Sequence, residues 1–238
     1  MKKRILALAL SLAMVFGLVA CGGGTTETKA ADDAAETIKL NVAYMPNYGS
    51  LWSVTTAMEK GYFAEEGLEV TLTSFQDGPT IIAAMESGSI DIGYIGQGAH
   101  KLCIQGNAKI FALSHISNGD ALIGGPSVKT LEDLKGKKVA YSAGTSSEDI
   151  LKNALAKADL TMDDIEAVEM EAANIVTAML SGGVDACATW SPNSLKILEE
   201  GTDVTLLCDN KTFIDTTVSL ASWIVTPSYA DANAETIL

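Results

Sequence analysis

The stretch Ile81–Asp91, IIAAMESGSID, returns 94 positions later as Ile175–Asp185, IVTAMLSGGVD. Six of the eleven pairs are identical and two more are Ile/Val exchanges. Each copy holds apolar residues at helical spacing, then a glycine, then a β-branched residue that opens a short strand. A shorter echo keeps the same order: Val42-Ala43-Tyr44 recurs as Val139-Ala140-Tyr141, 97 positions on. One long period of this kind predicts two similar lobes rather than a solenoid of short repeats.

Outward from these copies, strands alternate with helices along the whole body. Strands are expected at IKLNVAY from Ile38, at Leu68–Phe75, at Ile90–Ile95 and at Lys109–Ile116. Helices between them span Leu51–Lys60, closed by Gly61, then Asp77–Ser87 and Gln97–Gln105. The second set has strands at Lys138–Ser142, Glu166–Met170, Val184–Thr189 and Val204–Cys208, with helices at Thr145–Ala156, Ala173–Ser181 and Pro192–Glu199. VSLASWIV, Val218–Val225, is apolar enough for a buried strand, and Thr226-Pro227 caps a last helix. The fold class expected is α/β, two lobes of mainly parallel sheet with helices on both faces.

The N-terminus reads as an address. Lys2-Lys3-Arg4 precede an apolar run from Ile5 to Ala20, too short for a typical membrane span. Leu18-Val19-Ala20-Cys21 resembles a bacterial lipobox, which implies removal of residues 1–20, lipidation of Cys21 and a location outside the cytoplasm, anchored to the cell membrane. Residues 21–37, low in complexity, form a flexible tether.

Of 238 residues, 16 are basic and 30 acidic, and the formal charge is −14. Arg4 is the sole arginine, and it falls in the segment expected to be removed. An acidic body without arginine argues against nucleic acid, whose affinity rests on Lys/Arg contacts with phosphate. Two isolated histidines, His100 and His115, and the scattered cysteines Cys103, Cys187 and Cys208 leave no metal or nucleophile–base spacing. Neither a cofactor, a metal nor an enzymatic activity is expected. The cysteines read as small buried residues.

Ligands of open parallel sheets sit beyond the strands' carboxyl ends, and a cleft between two lobes joins two such edges. Four loops meet there: Met45–Ser50, Gly96–Gly98, Ser142–Ser147 and Trp190–Asn193. Each precedes a helix N-terminus with unpaired N–H groups that favour anions. SAGTSS, Ser142–Ser147, is richest in donors, and reads either as an anion cradle or as an N-cap cluster with no ligand. Tyr48 and Trp190 stand out as ligand platforms because both lie in loops; Trp52 lies a turn into a helix, where it either packs or contacts ligand.

GYFAEEGLEV (Gly61–Val70), AAMESGSIDIGYIG (Ala83–Gly96), LEDLKGKKVAYSAGTS (Leu131–Ser146) and VDACATWSPN (Val184–Asn193) together resemble the solute-binding proteins of ABC importers. The narrower resemblance is to the branch that takes nitrate, sulfonates, taurine or pyrimidine precursors of thiamine. It implies a type II periplasmic-binding-protein clamp, monomeric, serving an ABC permease and its ATPase subunits. It also implies ligand contacts from Asn47, Tyr48, Trp52, Gln97, Gly144, Thr145, Ser146, Trp190 and Asn193. Lobe I is expected at 38–123, lobe II at 124–214, with a return to lobe I at 215–238. The helical pattern after Pro227 lacks a closing glycine, and the family type continues for several helices, so a shortened C-terminus is expected, with apolar surface exposed on lobe I. Two other readings stay open: a lipid-anchored sensory protein that keeps the clamp without transport, and an enzyme like the related pyrimidine synthase, whose cysteine cluster is missing here. The solute, a small oxyanion or a flat pyrimidine, is left undecided by the sequence.

Overall fold

The computed structural model describes residues 37–237; the leader, Cys21 and the tether up to residue 36 lie outside the described residues. The first half runs β1 (Ile38–Tyr44), α1 (Tyr48–Lys60), α2 (Tyr62–Glu65), β2 (Leu68–Ser74), α3 (Gly78–Glu86), β3 (Ile92–Ile95), α4 (His100–Ile104) and β4 (Lys109–Ser117). The second runs β5 (Asp120–Gly124), β6 (Lys138–Tyr141), α5 (Ser146–Lys157), β7 (Glu166–Glu169), α6 (Ala172–Leu180), β8 (Ala186–Trp190), α7 (Asn193–Glu200) and β9 (Thr205–Asp209). The chain closes with β10 (Ser219–Val225), α8 (Pro227–Ala232) and α9 (Ala234–Ile237). Two five-stranded sheets result, ordered β2-β1-β3-β10-β4 and β7-β6-β8-β5-β9.

The repeated sequence builds the same device in both sheets. Ile81, Ile82 and Met85 are buried on α3, and Ile175, Val176 and Met179 on α6. Gly88 and Gly182 then end the helices at φ +78° and +72°, a left-handed turn that a side chain resists. Asp91 and Asp185 follow, and their carboxylates accept the backbone N–H of Asn41 at 2.7 Å and of Lys138 at 2.9 Å. This pins β3 beside β1, with Val42 opposite Ile92, and β8 beside β6, with Val139 opposite Ala186.

The sheets are mainly parallel, as expected, with four strands of each running one way and one strand reversed. β10 runs antiparallel to β3 and β4, and β5 antiparallel to β8 and β9. Both are the first strands laid down after the chain crosses between lobes, and both enter against the direction of their neighbours. β5 is absent from the sequence expectation, which placed residues up to 123 in lobe I and read no strand at Asp120–Gly124. All five of its residues are buried, and it lies in the second sheet from Asp120 onward, ahead of the expected boundary at 124. Along β5 the pleat sends Leu122 towards Leu151 and Leu155 of α5, and Ile123 towards Ile175 and Ile197 of α6 and α7. Burying each such side chain contributes about 1.5–3 kcal/mol.

Lobe I has one buried cluster, from Ala43, Ile81, Met85, Tyr94, Ile95 and Ile224. Its edge strand β4 leaves Leu113 and Ile116 exposed. Cys187 and Cys208 are free thiols inside lobe II, and burial pushes both up to about 12. Among the described residues, no helix is long and apolar enough to cross a membrane.

Candidate functional site

Asn47 accepts the N–H of Ser50 at 2.9 Å and so starts α1 three residues earlier than the sequence pattern suggests. Tyr48 therefore stands in the first turn of a helix, not in a loop, as a residue 84% exposed. Trp52 lies one turn further on, also exposed. On the facing lobe, Thr145 caps α5, and β8 ends at Trp190. Between these walls lies a cavity of about 320 Å³. Lobe I lines it with Asn47, Tyr48, Trp52, Tyr94 and His115; lobe II with Thr145, Ser146, Trp190 and Ser191; the crossing segments with Asn118, Gly119, Asp120 and Ser219.

Six of the expected residues thus share one cavity: Asn47, Tyr48, Trp52, Thr145, Ser146 and Trp190. Gln97, Gly144 and Asn193 stand outside its wall. Gln97 accepts the N–H of Leu220 at 3.1 Å, bracing β10. Gly144 donates its N–H to Glu148 Oε2 at 2.6 Å, and Asn193 Nδ2 donates to the carbonyl of Ala172 at 3.2 Å. Each has a partner within the protein: Gly144 in its own loop, Gln97 on β10 and Asn193 at the start of α6.

Three hydroxyls of the donor-rich loop, those of Thr145, Ser146 and Ser147, are engaged within the protein. Thr145 Oγ1 donates to the Ser142 carbonyl at 2.7 Å and accepts from the N–H of Ser147. Ser147 Oγ donates to the Ala188 carbonyl at 2.7 Å. Ser146 Oγ donates to Asp120 Oδ1 at 2.6 Å. Glu148 anchors the loop from below. Burial pushes its carboxyl up, but Lys152, the Gly144 N–H and Lys101 outweigh that and hold it below the usual range. Lys101 reaches it from lobe I, with 3.7 Å between Nζ and Oε2.

Asp120 is the site residue that the sequence reading missed. Only 2% exposed, it opens β5 where the chain enters lobe II. Its Oδ2 accepts Asn210 Nδ2 at 2.8 Å and Ser219 Oγ at 2.9 Å, adding to the Ser146 bond on Oδ1. It therefore joins α5, the segment after β9 and the start of β10, and ties the two crossings together. The available signal was an acidic residue directly ahead of the apolar run Ala121-Leu122-Ile123. The lobes also meet at Gly98, which packs flat against the Thr145 backbone.

The cavity is aromatic and weakly charged. Tyr94 stacks near His115, with ring centroids 6.3 Å apart, and meets Trp223 edge-on at 5.4 Å. Burial raises the Tyr94 phenol, and the charge of Asp120 raises it further. Burial lowers His115 below 6.5, against the opposing pull of Asp120, and burial likewise lowers His100. Both imidazoles are therefore neutral in the folded state at pH 7. Well above 6.5 neither folded nor unfolded chain binds these protons, and at pH 7 the unfolded chain is just beginning to. As pH falls below 6.5 the unfolded chain takes up protons that the folded chain resists, so stability declines until the lower folded values are reached. The melting temperature is expected to fall between pH 7 and pH 5.5, and less so in the His100→Gln/His115→Gln double variant. Since these are the chain's two histidines, an equal fall in the double variant would refute their part in it.

Among the described residues, no group of three or more His, Cys, Asp or Glu side chains could hold a metal ion. What the cavity can do is enclose a small solute between aromatic faces contributed by both lobes.

The model of the family described as NMT1/THI5 like matches residues 51–237. A binding protein of Brucella abortus is 32% identical over 203 residues, covering 85% of this chain and 64% of that protein. The taurine-binding periplasmic protein of Escherichia coli is 26% identical over 208 residues, covering 85% of this chain and 63% of the relative. The chain thus spans under two thirds of the length of these relatives. The alkanesulfonate-binding protein SsuA of Xanthomonas axonopodis pv. citri, solved bound to MOPS, superposes with a TM-score of 0.73 at 25% identity. That match covers 85% of this chain and 70% of the other.

Proposed function

Because the chain belongs to the NMT1/THI5-like family, we propose that it is the solute-binding subunit of an ABC importer, closing two lobes on a small molecule. The observation that carries this reading is the shared cavity, whose aromatic walls come from α1 on one lobe and β8 on the other. A solute there contacts both lobes only when they are closed, so binding favours the closed form that a permease would recognise. Alkanesulfonate- and taurine-binding relatives support a transport role. In this reading Cys21 carries the lipid that holds the protein outside the cytoplasm beside its permease and ATPase, and the domains divide near residues 118–120 and 214–219.

A thermal-shift screen of the full chain against oxyanions, sulfonates, amino acids, amines and heterocycles tests the proposal. At 100 times its Kd a solute adds about 2.7 kcal/mol, or about 5–10 °C for a chain of this size. Trp190→Ala removes one wall and is expected to reduce the affinity at least tenfold. If no class stabilises the protein, or if the shift survives both Trp190→Ala and Tyr48→Ala, the cavity is not a solute site.

A further inference from the structure

We infer that the cleft takes a small organic cation, with an ammonium- or guanidinium-type head, and that Asp120 selects its charge. The inference rests on the reading of the cavity as a solute site and adds its chemical class.

Asp120 is the one acidic side chain in the cavity wall, and no lysine or arginine lines it. Its three hydrogen-bond partners, Ser146, Asn210 and Ser219, are all neutral donors. They fix the carboxylate in place without cancelling its charge, and none of the ion pairs among the described residues involves it. A carboxylate offers about four lone-pair directions, so one remains on Oδ1. A buried charge without a counter-ion is unfavourable, and a cation entering the cavity supplies one. The rings of Tyr48, Trp52, Tyr94 and Trp190 line the same space, and aromatic faces attract cations, more strongly where water is excluded.

An anion meets the opposite conditions. The start of α5, where the loop pattern suggests an oxyanion, already faces the Asp120 carboxylate through Ser146. The Thr145 and Ser147 hydroxyls are held by backbone carbonyls. An incoming sulfonate would face a like charge and find the Thr145, Ser146 and Ser147 hydroxyls already engaged.

Asp120 also braces the crossing segments, but that role needs a hydrogen-bond acceptor of the right size, not a negative charge. Asp120→Asn separates the two. Titration calorimetry of the full chain at constant ionic strength would compare tetramethylammonium, ethylammonium and methylguanidinium chlorides with sodium methanesulfonate and ethanesulfonate. The wild type is expected to bind at least one cation and neither sulfonate. Asp120→Asn is expected to weaken the cation at least tenfold while melting within a few degrees of wild type. Should that variant not fold, Tyr48→Lys set against Tyr48→Gln tests the same point from the exposed rim. The lysine is expected to bind the cation at least fivefold more weakly than the glutamine. Binding of a sulfonate by the wild type, no binding of any of the three cations, or equal cation affinity with and without the charge change overturns the inference. A sulfonate whose binding is lost in Trp190→Ala overturns the charge assignment and leaves the cleft reading standing; silence here and in the wider screen overturns both.

Discussion

Replacing Gly98 with valine is expected to lower the affinity for a cleft-bound solute about 50-fold while leaving both cores folded. A Cβ at this position would stand 2.1 Å from the carbonyl carbon of Thr145 and 2.3 Å from its oxygen. These are backbone atoms, fixed by the cap that Thr145 forms at the start of α5. They cannot rotate away as a side chain would, so the lobes must part. If parting is favoured by about 2–2.5 kcal/mol, the closed form falls to a few per cent and the apparent Kd rises in proportion. Gly98 touches the facing lobe, not the interior of its own, so the melting temperature of the solute-free protein should change little. X-ray scattering and calorimetry with the solute found in the screen would measure the two effects. A valine variant with wild-type affinity and wild-type compactness would show that this contact does not control closure.

Asp120→Ala is expected to lower stability by about 3 kcal/mol, which for a chain of this size is a melting temperature about 6–12 °C lower. Each hydrogen bond to a charged group contributes about 1.5–3 kcal/mol, and the three here are not additive because they share one carboxylate. Alanine leaves the Ser146 and Ser219 hydroxyls and the Asn210 amide without their acceptor, in partly buried positions. It also unties the two crossings. Asparagine retains an acceptor and the shape, and should cost about 1 kcal/mol. Chemical denaturation of wild type and both variants would show the order; an alanine variant as stable as wild type would mean that the Asp120 network contributes nothing to holding the lobes together.

Much of the fold was legible because its signals are local. The eleven-residue repeat specifies helix, left-handed glycine and strand within a dozen positions, and both copies fold to the same device. The Thr145 start of α5, Pro at the start of α3 and the Gly61 stop are likewise choices made within one turn, whereas the Asn47 cap of α1 was read as loop. Loops at strand ends could therefore be placed, and six of nine expected site residues share a cavity. Gln97, Gly144 and Asn193 stand outside its wall, because a polar group near a helix start looks the same whether its partner is a solute or the protein itself.

By itself, the sequence determined two α/β lobes, the alternation of strands and helices along the chain except for β5, and the four loops at the strand ends. Tertiary structure alone decided which strands run antiparallel, that Asp120–Gly124 is a central strand of lobe II, and what charge the cleft presents. The physical reason is range. Periodicity and capping act over a few residues, whereas Asp120 finds its partners 26, 90 and 99 residues away. Only the folded chain brings an acid, two hydroxyls and an amide together, and only there does the anion-friendly start of α5 come to face a carboxylate of its own.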